Sequence, residues 1–266
     1  MNTATIIAFI ISLILQVGFP LVVILHFRRH THAPWRVFGY GLFIYAVFQL
    51  FTWLPLSVYL DATLGAKLTS EWGAFLWLLA LALMTSLAEE GGRWFGYRFL
   101  FPRGKVALSW ENGIMYGLGH GSMEVMLLIA GLTFIYFVAY VVLGSINQGQ
   151  LLGTLKPVEA IEVRSALTTI LNTTWDQPIV VAIERILTLP HQLAWSLMVL
   201  ASFVSRRKRW LLFAVLYHWS VAVIVPGLAR LLGFVVAESV NAAFCALSIW
   251  IIVRLRILSP VEEHLA

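Results

Sequence analysis

ATIIAFIISLILQVGFPLVVILHF, residues 4–27, contains no Asp, Glu, Lys or Arg along its whole length. A run of roughly 18 or more uncharged, mainly apolar residues is long enough to cross the hydrocarbon core of a bilayer as a helix. The stretch is also too long for a cleaved signal peptide and has no charged leader ahead of it, so it reads as a retained first span. The same pattern recurs at about 36–60, 72–98, 110–143, 177–204, 210–230 and 233–256. Within a bilayer only helices and closed barrels satisfy every backbone polar group. Runs of this length specify helices, and the expected fold is an all-α, polytopic membrane bundle of about seven transmembrane helices.

Composition agrees with that pattern. Hydrophobic residues make up 60% of the 266 and charged residues 12%, and mean hydropathy is +0.87. A soluble domain carries about a quarter charged residues. No polar stretch is long enough to fold separately, so residues 1–266 are expected to form a single transmembrane domain. The segment 145–176 is the one long connection; an interfacial or capping helix and a plain loop both fit it.

The net charge of +5 is placed for membrane anchoring, with no nucleic-acid partner implied. Arg28, Arg29 and Arg36 follow the first span, Arg98, Arg103 and Lys105 the third, Arg206, Arg207, Lys208 and Arg209 the fifth, and Arg254 and Arg256 the seventh. Basic residues gather on the cytoplasmic side, which predicts an outside N-terminus and a cytoplasmic C-terminus. The lone Cys245 lies in an apolar run and offers no disulfide framework and no thiolate metal site.

Ionisable side chains inside a span are costly and mark sites or pores. The third span closes on Ser86-Leu-Ala-Glu89-Glu90-Gly91-Gly92-Arg93, and the fourth holds Tyr116-Gly-Leu-Gly-His120-Gly-Ser-Met-Glu124. The fifth holds Glu184-Arg185 and His191, and the sixth Tyr217-His218-Trp219. At 1.5 Å per residue, Glu90, His120 and His218 lie roughly 12–15 Å below the basic boundary, and Glu124 and His191 roughly 21–23 Å. Adjacent helix residues point about 100° apart, so one of Glu89 and Glu90 is expected to pair with Arg93 and the other to face a cavity. Gly91, Gly92, Gly96, Gly117, Gly119 and Gly121 would let helices approach closely around them. Glu184-Arg185 reads as a structural pair, His26, His30 and His32 as part of a basic turn, and His264 as part of a polar tail.

Three chemistries fit these residues. Glu89 or Glu90, with His120, could activate a water against a peptide carbonyl while His218 stabilises the oxyanion. His120, His191 and His218 could instead bind Zn²⁺ and leave a position open for water, although no HExxH helix is present. A proton relay or substrate site of a transporter, or a non-catalytic membrane-binding protein, is the third reading.

The Glu89-Glu90-Gly-Gly-Arg93 and Gly119-His120-Gly-Ser-Met-Glu124 motifs, followed by His191 and His218, resemble those of the YhfC-type intramembrane peptidases, distant relatives of the CAAX-protease and bacteriocin-processing (CPBP) group and of PrsW-type peptidases. The resemblance implies an intramembrane hydrolase, most simply a glutamate-type endopeptidase of a bacterial plasma membrane, acting on a peptide or membrane-protein substrate among membrane lipids. It assigns Glu89, Glu90, His120 and His218 to catalysis; Arg93, Glu124 and His191 are expected to support them, Glu124 and His191 having no counterpart in the CAAX pattern and reading as a metal site or a structural pair. It requires no cofactor in that form, with zinc the alternative. Ala222 stands four residues after His218, where those relatives carry Asn or Asp. Substrate approach is expected laterally or from the basic, cytoplasmic side.

Overall fold

The computed structural model describes residues 2–258; His264 lies outside them. The described residues are helical almost throughout, and seven helices are long and apolar enough to cross a membrane. We number the helices α1 (Thr3–Thr31), α2 (Trp35–Lys67), α3 (Glu71–Arg103), α4 (Trp110–Ser145), α5 (Gln148–Gly153), α6 (Pro157–Leu171), α7 (Asp176–Val204), α8 (Arg209–Leu232) and α9 (Phe234–Ile257). The membrane-length helices are α1–α4 and α7–α9. Between them, α5 and α6 make the 145–176 connection largely helical.

Local sequence sets the helix ends. Ser70 caps α3 by accepting the Gly73 N–H at 3.0 Å, and Ser109 caps α4 by accepting from Asn112 at 3.3 Å, the usual means of satisfying orphan donors at a helix start. Gly233, at φ 86°, makes the sharp break between α8 and α9, a conformation open to glycine at no steric cost. The chain divides into two compact units.

One unit joins the chain up to Val22 with Val125–Ile186. Phe9 of α1 packs its ring on Tyr136, Phe137 and Tyr140 of α4 at 5.3–6.1 Å, and Thr5 donates to the Thr173 carbonyl at 3.3 Å.

The other unit comprises Val23–Glu124 and the chain from Leu187 onward. Here α2 and α4 meet backbone to backbone. A Cβ on Gly41 would stand 2.1 Å from the Tyr116 carbonyl oxygen, and one on Gly119 would stand 2.0 Å from that of Phe38. This is the close approach that small residues permit in membranes. The second half of α7 is buried all round, with Leu189, Ala194, Leu197, Val199 and Leu200 almost inaccessible. A helix with no exposed stripe is a core helix, so polar groups on it point into protein. Outward positions of the unit are apolar (Phe51, Trp72, Leu76, Leu231 and Val235 are exposed), while Glu90, Arg93 and His120 are fully buried. That inversion of the soluble pattern is what lipid as solvent requires.

Candidate active site

The inward face of α3 is polar: its buried residues are Ser86, Glu89, Glu90, Gly92 and Arg93. Arg93 follows Glu90 by three positions and Glu89 by four, the two spacings that bring helix side chains together. Its Nη1 donates to Glu90 Oε1 and its Nη2 to Glu89 Oε2, the latter at 3.3 Å. This corrects the expectation that only one carboxylate would pair with Arg93. The planar guanidinium offers separate donors in a fork, so one arginine reaches both acids even though they leave the helix about 100° apart.

Each carboxylate also holds a histidine. His120 of α4 directs Nε2 to Glu89 Oε2 at 3.3 Å, and His218 of α8 directs Nδ1 to Glu90 Oε1 at 2.9 Å. In both contacts the ring N–H is the donor, which fixes the imidazole orientation. Tyr45 of α2 meets the His120 ring edge-on at 5.0 Å between centroids. Glu89, Glu90, Arg93, His120 and His218, from three separate stretches of sequence, therefore lie together.

Their support includes a residue that the sequence reading missed. Gln192 of α7 accepts from Arg93 Nη2 through Oε1 and donates through Nε2 to Glu124 Oε2. Glu124 is thus tied to the same arginine through one amide. The available signal was a glutamine next to His191 in an otherwise apolar span. Tyr116 and Tyr97 complete the wall, donating to the carbonyls of Arg93 (3.4 Å) and Ser196 (3.1 Å) respectively.

Helix geometry widens around these residues. π-helical turns run over Ala46–Trp53 of α2, Gly96–Leu100 of α3 and Met123–Ile129 of α4. Single widened turns of this kind occur often at functional sites, and two of them begin three residues after Arg93 and His120.

His191 belongs to a different cluster. Its Nε2 donates to Asn241 Oδ1 at 3.1 Å and its Nδ1 meets the Ser248 hydroxyl at 2.8 Å, both on α9. Tyr217 also reaches Ser248 at 2.8 Å. The Trp195 indole stacks on His191 (5.7 Å between centroids, 25° between planes) and on His218 (3.9 Å, 8°).

A cavity of about 380 Å³ opens one helical turn from the carboxylates, lined by Ser57, Val58 and Asp61 of α2, Leu78, Leu81, Ala82 and Thr85 of α3, and Ala222 of α8.

The sequence profile of the YhfC intramembrane metalloprotease family matches residues 11–243 of this chain. A curated relative, the uncharacterized membrane protein YhfC of Bacillus subtilis (strain 168), is 29% identical over 248 residues, which is 88% of this chain and 90% of that protein. No solved structure matches the chain. The family description implies a metal, and the donor set bears on it. Among the described residues no three His, Cys, Asp or Glu side chains come together as a set able to hold an ion. Both ring nitrogens of His191 are engaged, and Trp195 stacks on both His191 and His218. The carboxylate oxygens that face His120 and His218 already carry Arg93. His191 would have to give up Asn241 or Ser248, so the residues present do not fit a zinc site built on His120, His191 and His218 together, while His120 Nδ1 and Glu90 Oε2 are buried with no hydrogen-bond partner among the described residues.

Proposed function

The chain belongs to the YhfC intramembrane metalloprotease family, and we propose that it hydrolyses a peptide bond at the membrane with a water activated by Glu89 and His120. The observation that carries this reading is the pair of carboxylate–imidazole contacts, Glu89–His120 and Glu90–His218, clamped on one buried arginine. Glu89 is the better base. Its side chain keeps 6% of its surface accessible, whereas that of Glu90 keeps none. The cavity beside Ala82 and Thr85 lies one to two turns before it on the same helix.

In the proposed reaction the water oxygen bonds to the scissile carbonyl carbon as Glu89 takes a water proton, with His120 holding the carboxylate and the water in line. The carbonyl oxygen becomes an oxyanion and accepts a hydrogen bond from the Nε2–H of His218, which acts in this step as the imidazolium with its Nδ1–H held by Glu90. When the tetrahedral intermediate collapses the C–N bond breaks, and the proton held by Glu89 passes to the leaving amine. Arg93 fixes both carboxylates throughout. A water-excluding bundle strengthens each of these interactions relative to bulk solvent.

The test is cleavage, in proteoliposomes, of a quenched-fluorescent peptide library carrying an apolar segment. Glu89→Gln is expected to abolish cleavage, since an amide cannot take the proton. Wild-type activity is expected to survive exhaustive chelation. The family description favours a metal-dependent route as the second reading, and loss of activity on chelation with recovery on added Zn²⁺ would establish it in place of the one proposed.

A further inference from the structure

Trp195 is a buried donor that the mechanism leaves unused. Its residue is 3% exposed, and its Nε1–H has no acceptor among the described residues. Four other indoles of the same unit are satisfied: Trp53 donates to Thr85 at 2.7 Å, Trp77 to Asp61 at 2.9 Å, Trp110 to the Ile252 carbonyl at 2.9 Å and Trp219 to the Leu79 carbonyl at 3.0 Å. A buried tryptophan N–H normally finds a partner, and leaving one unpaired costs about as much as a lost hydrogen bond. The position of the exception is informative. The indole lies flat on the His218 imidazole, with 3.9 Å between centroids and 8° between planes. Two parallel rings at that spacing can present their edge N–H groups to a single oxygen.

Two neighbouring donors are committed elsewhere. The Tyr217 hydroxyl bonds the Phe244 carbonyl and Ser248, and the Gln192 amide bonds Glu124. One turn beyond His218, Ala222 has no polar group to offer. The Ser196 hydroxyl is buried and also unpaired, but it lies against Gly117 of α4 and not on the His218 ring.

We propose that the Trp195 Nε1–H is the second oxyanion donor, completing with His218 a two-donor site for the tetrahedral intermediate. The inference rests on the hydrolytic reading above and adds a catalytic residue to it. An oxyanion held by preorganised donors is stabilised where its charge develops, and loss of one donor typically lowers kcat by about 10²–10³-fold.

The experiment compares full-length wild type, Trp195→Phe and Trp195→Leu in proteoliposomes with the same quenched-fluorescent library, alongside thermal melts in detergent. Phenylalanine keeps a flat ring against His218 and removes the N–H. The expected result for Trp195→Phe is a kcat lower by about 10²-fold or more with KM and melting temperature little changed, and for Trp195→Leu a larger loss. The inference is overturned if wild type cleaves, Glu89→Gln does not, and Trp195→Phe turns over like wild type. A Trp195→Phe protein whose loss of rate merely follows its loss of folded fraction overturns it equally. Absence of any Glu89-dependent cleavage by wild type would remove the hydrolytic reading itself and this inference with it.

Discussion

Gly41→Ala tests whether the spacing between α2 and α4 sets the geometry of the catalytic pair. A Cβ at position 41 would stand 2.1 Å from the Tyr116 carbonyl oxygen, 2.6 Å from the His120 nitrogen and 3.0 Å from the Gly119 carbonyl carbon. All three are backbone atoms, so no side-chain rotation relieves the clash. Favourable contact between heavy atoms begins near about 3.5 Å, so the two helices must part by about 1 Å or more. Overpacking of this kind costs about 1–3 kcal/mol. The shift also carries His120 away from α3, and its 3.3 Å contact with Glu89 is already near the outer limit of a hydrogen bond. A misplacement of about 1 Å at a reacting group can cost about 10²-fold in rate. The assay pairs a detergent melt with proteoliposome cleavage and uses Gly39→Ala as control, since a Cβ at Gly39 meets nothing within 4 Å. Gly41→Ala should lose both stability and rate while the control keeps both. If Gly41→Ala matches wild type in both readouts, the argument that backbone contact positions His120 is refuted.

Other substitutions separate the roles of neighbouring residues. Glu90→Gln leaves Arg93 with one carboxylate and removes the anion that orients His218; breaking a buried pair in this way costs about 3–5 kcal/mol, so melting should fall sharply, whereas Glu89→Gln should act mainly on rate. His191→Phe deprives Asn241 Oδ1 of its donor and leaves Ser248 with Tyr217, which should cost about 1–3 kcal/mol of stability while a measurable cleavage rate survives; complete loss of activity in a protein with an unchanged melt would place His191 in the chemistry. Ala82→Trp fills the cavity beside the carboxylates and should raise KM with little effect on the melt, and an unaltered KM would show that substrate does not enter there.

The sequence reading located what is rare in a bilayer and placed poorly what is conditional on packing. Seven apolar runs announce seven spans because lipid leaves few alternatives for a backbone. Glu89, Glu90, Arg93, His120 and His218 stand out because an ionisable group within a span is costly, and they do meet. His191 satisfied the same criterion yet lies in a separate cluster with Asn241 and Ser248, since polarity in a span reports a need for partners without naming them. Gln192 was overlooked because a neutral amide attracts less notice than a charge, although it links Glu124 to Arg93. The widened turns after Arg93 and His120 left no trace in apolar periodicity. The convergence of both carboxylates on Arg93 depends on the reach of a forked guanidinium, which residue spacing alone understates.

The Glu89–Glu90–Arg93 clamp lies wholly within one helix, and this bears on how the protein enters the membrane. When α3 emerges from the ribosome, neither His218 nor Gln192 has been synthesised, and His120 follows 27 positions after Arg93. A lone arginine or carboxylate pair at that stage would face the lipid uncompensated. Because its counter-ions sit three and four residues away on the same span, α3 brings its own neutralisation into the bilayer and leaves a residual charge of one carboxylate for later helices to satisfy. Chain order thus gives the proposed site two parts, an ion cluster contained in one span and histidines carried by helices that follow it in the sequence.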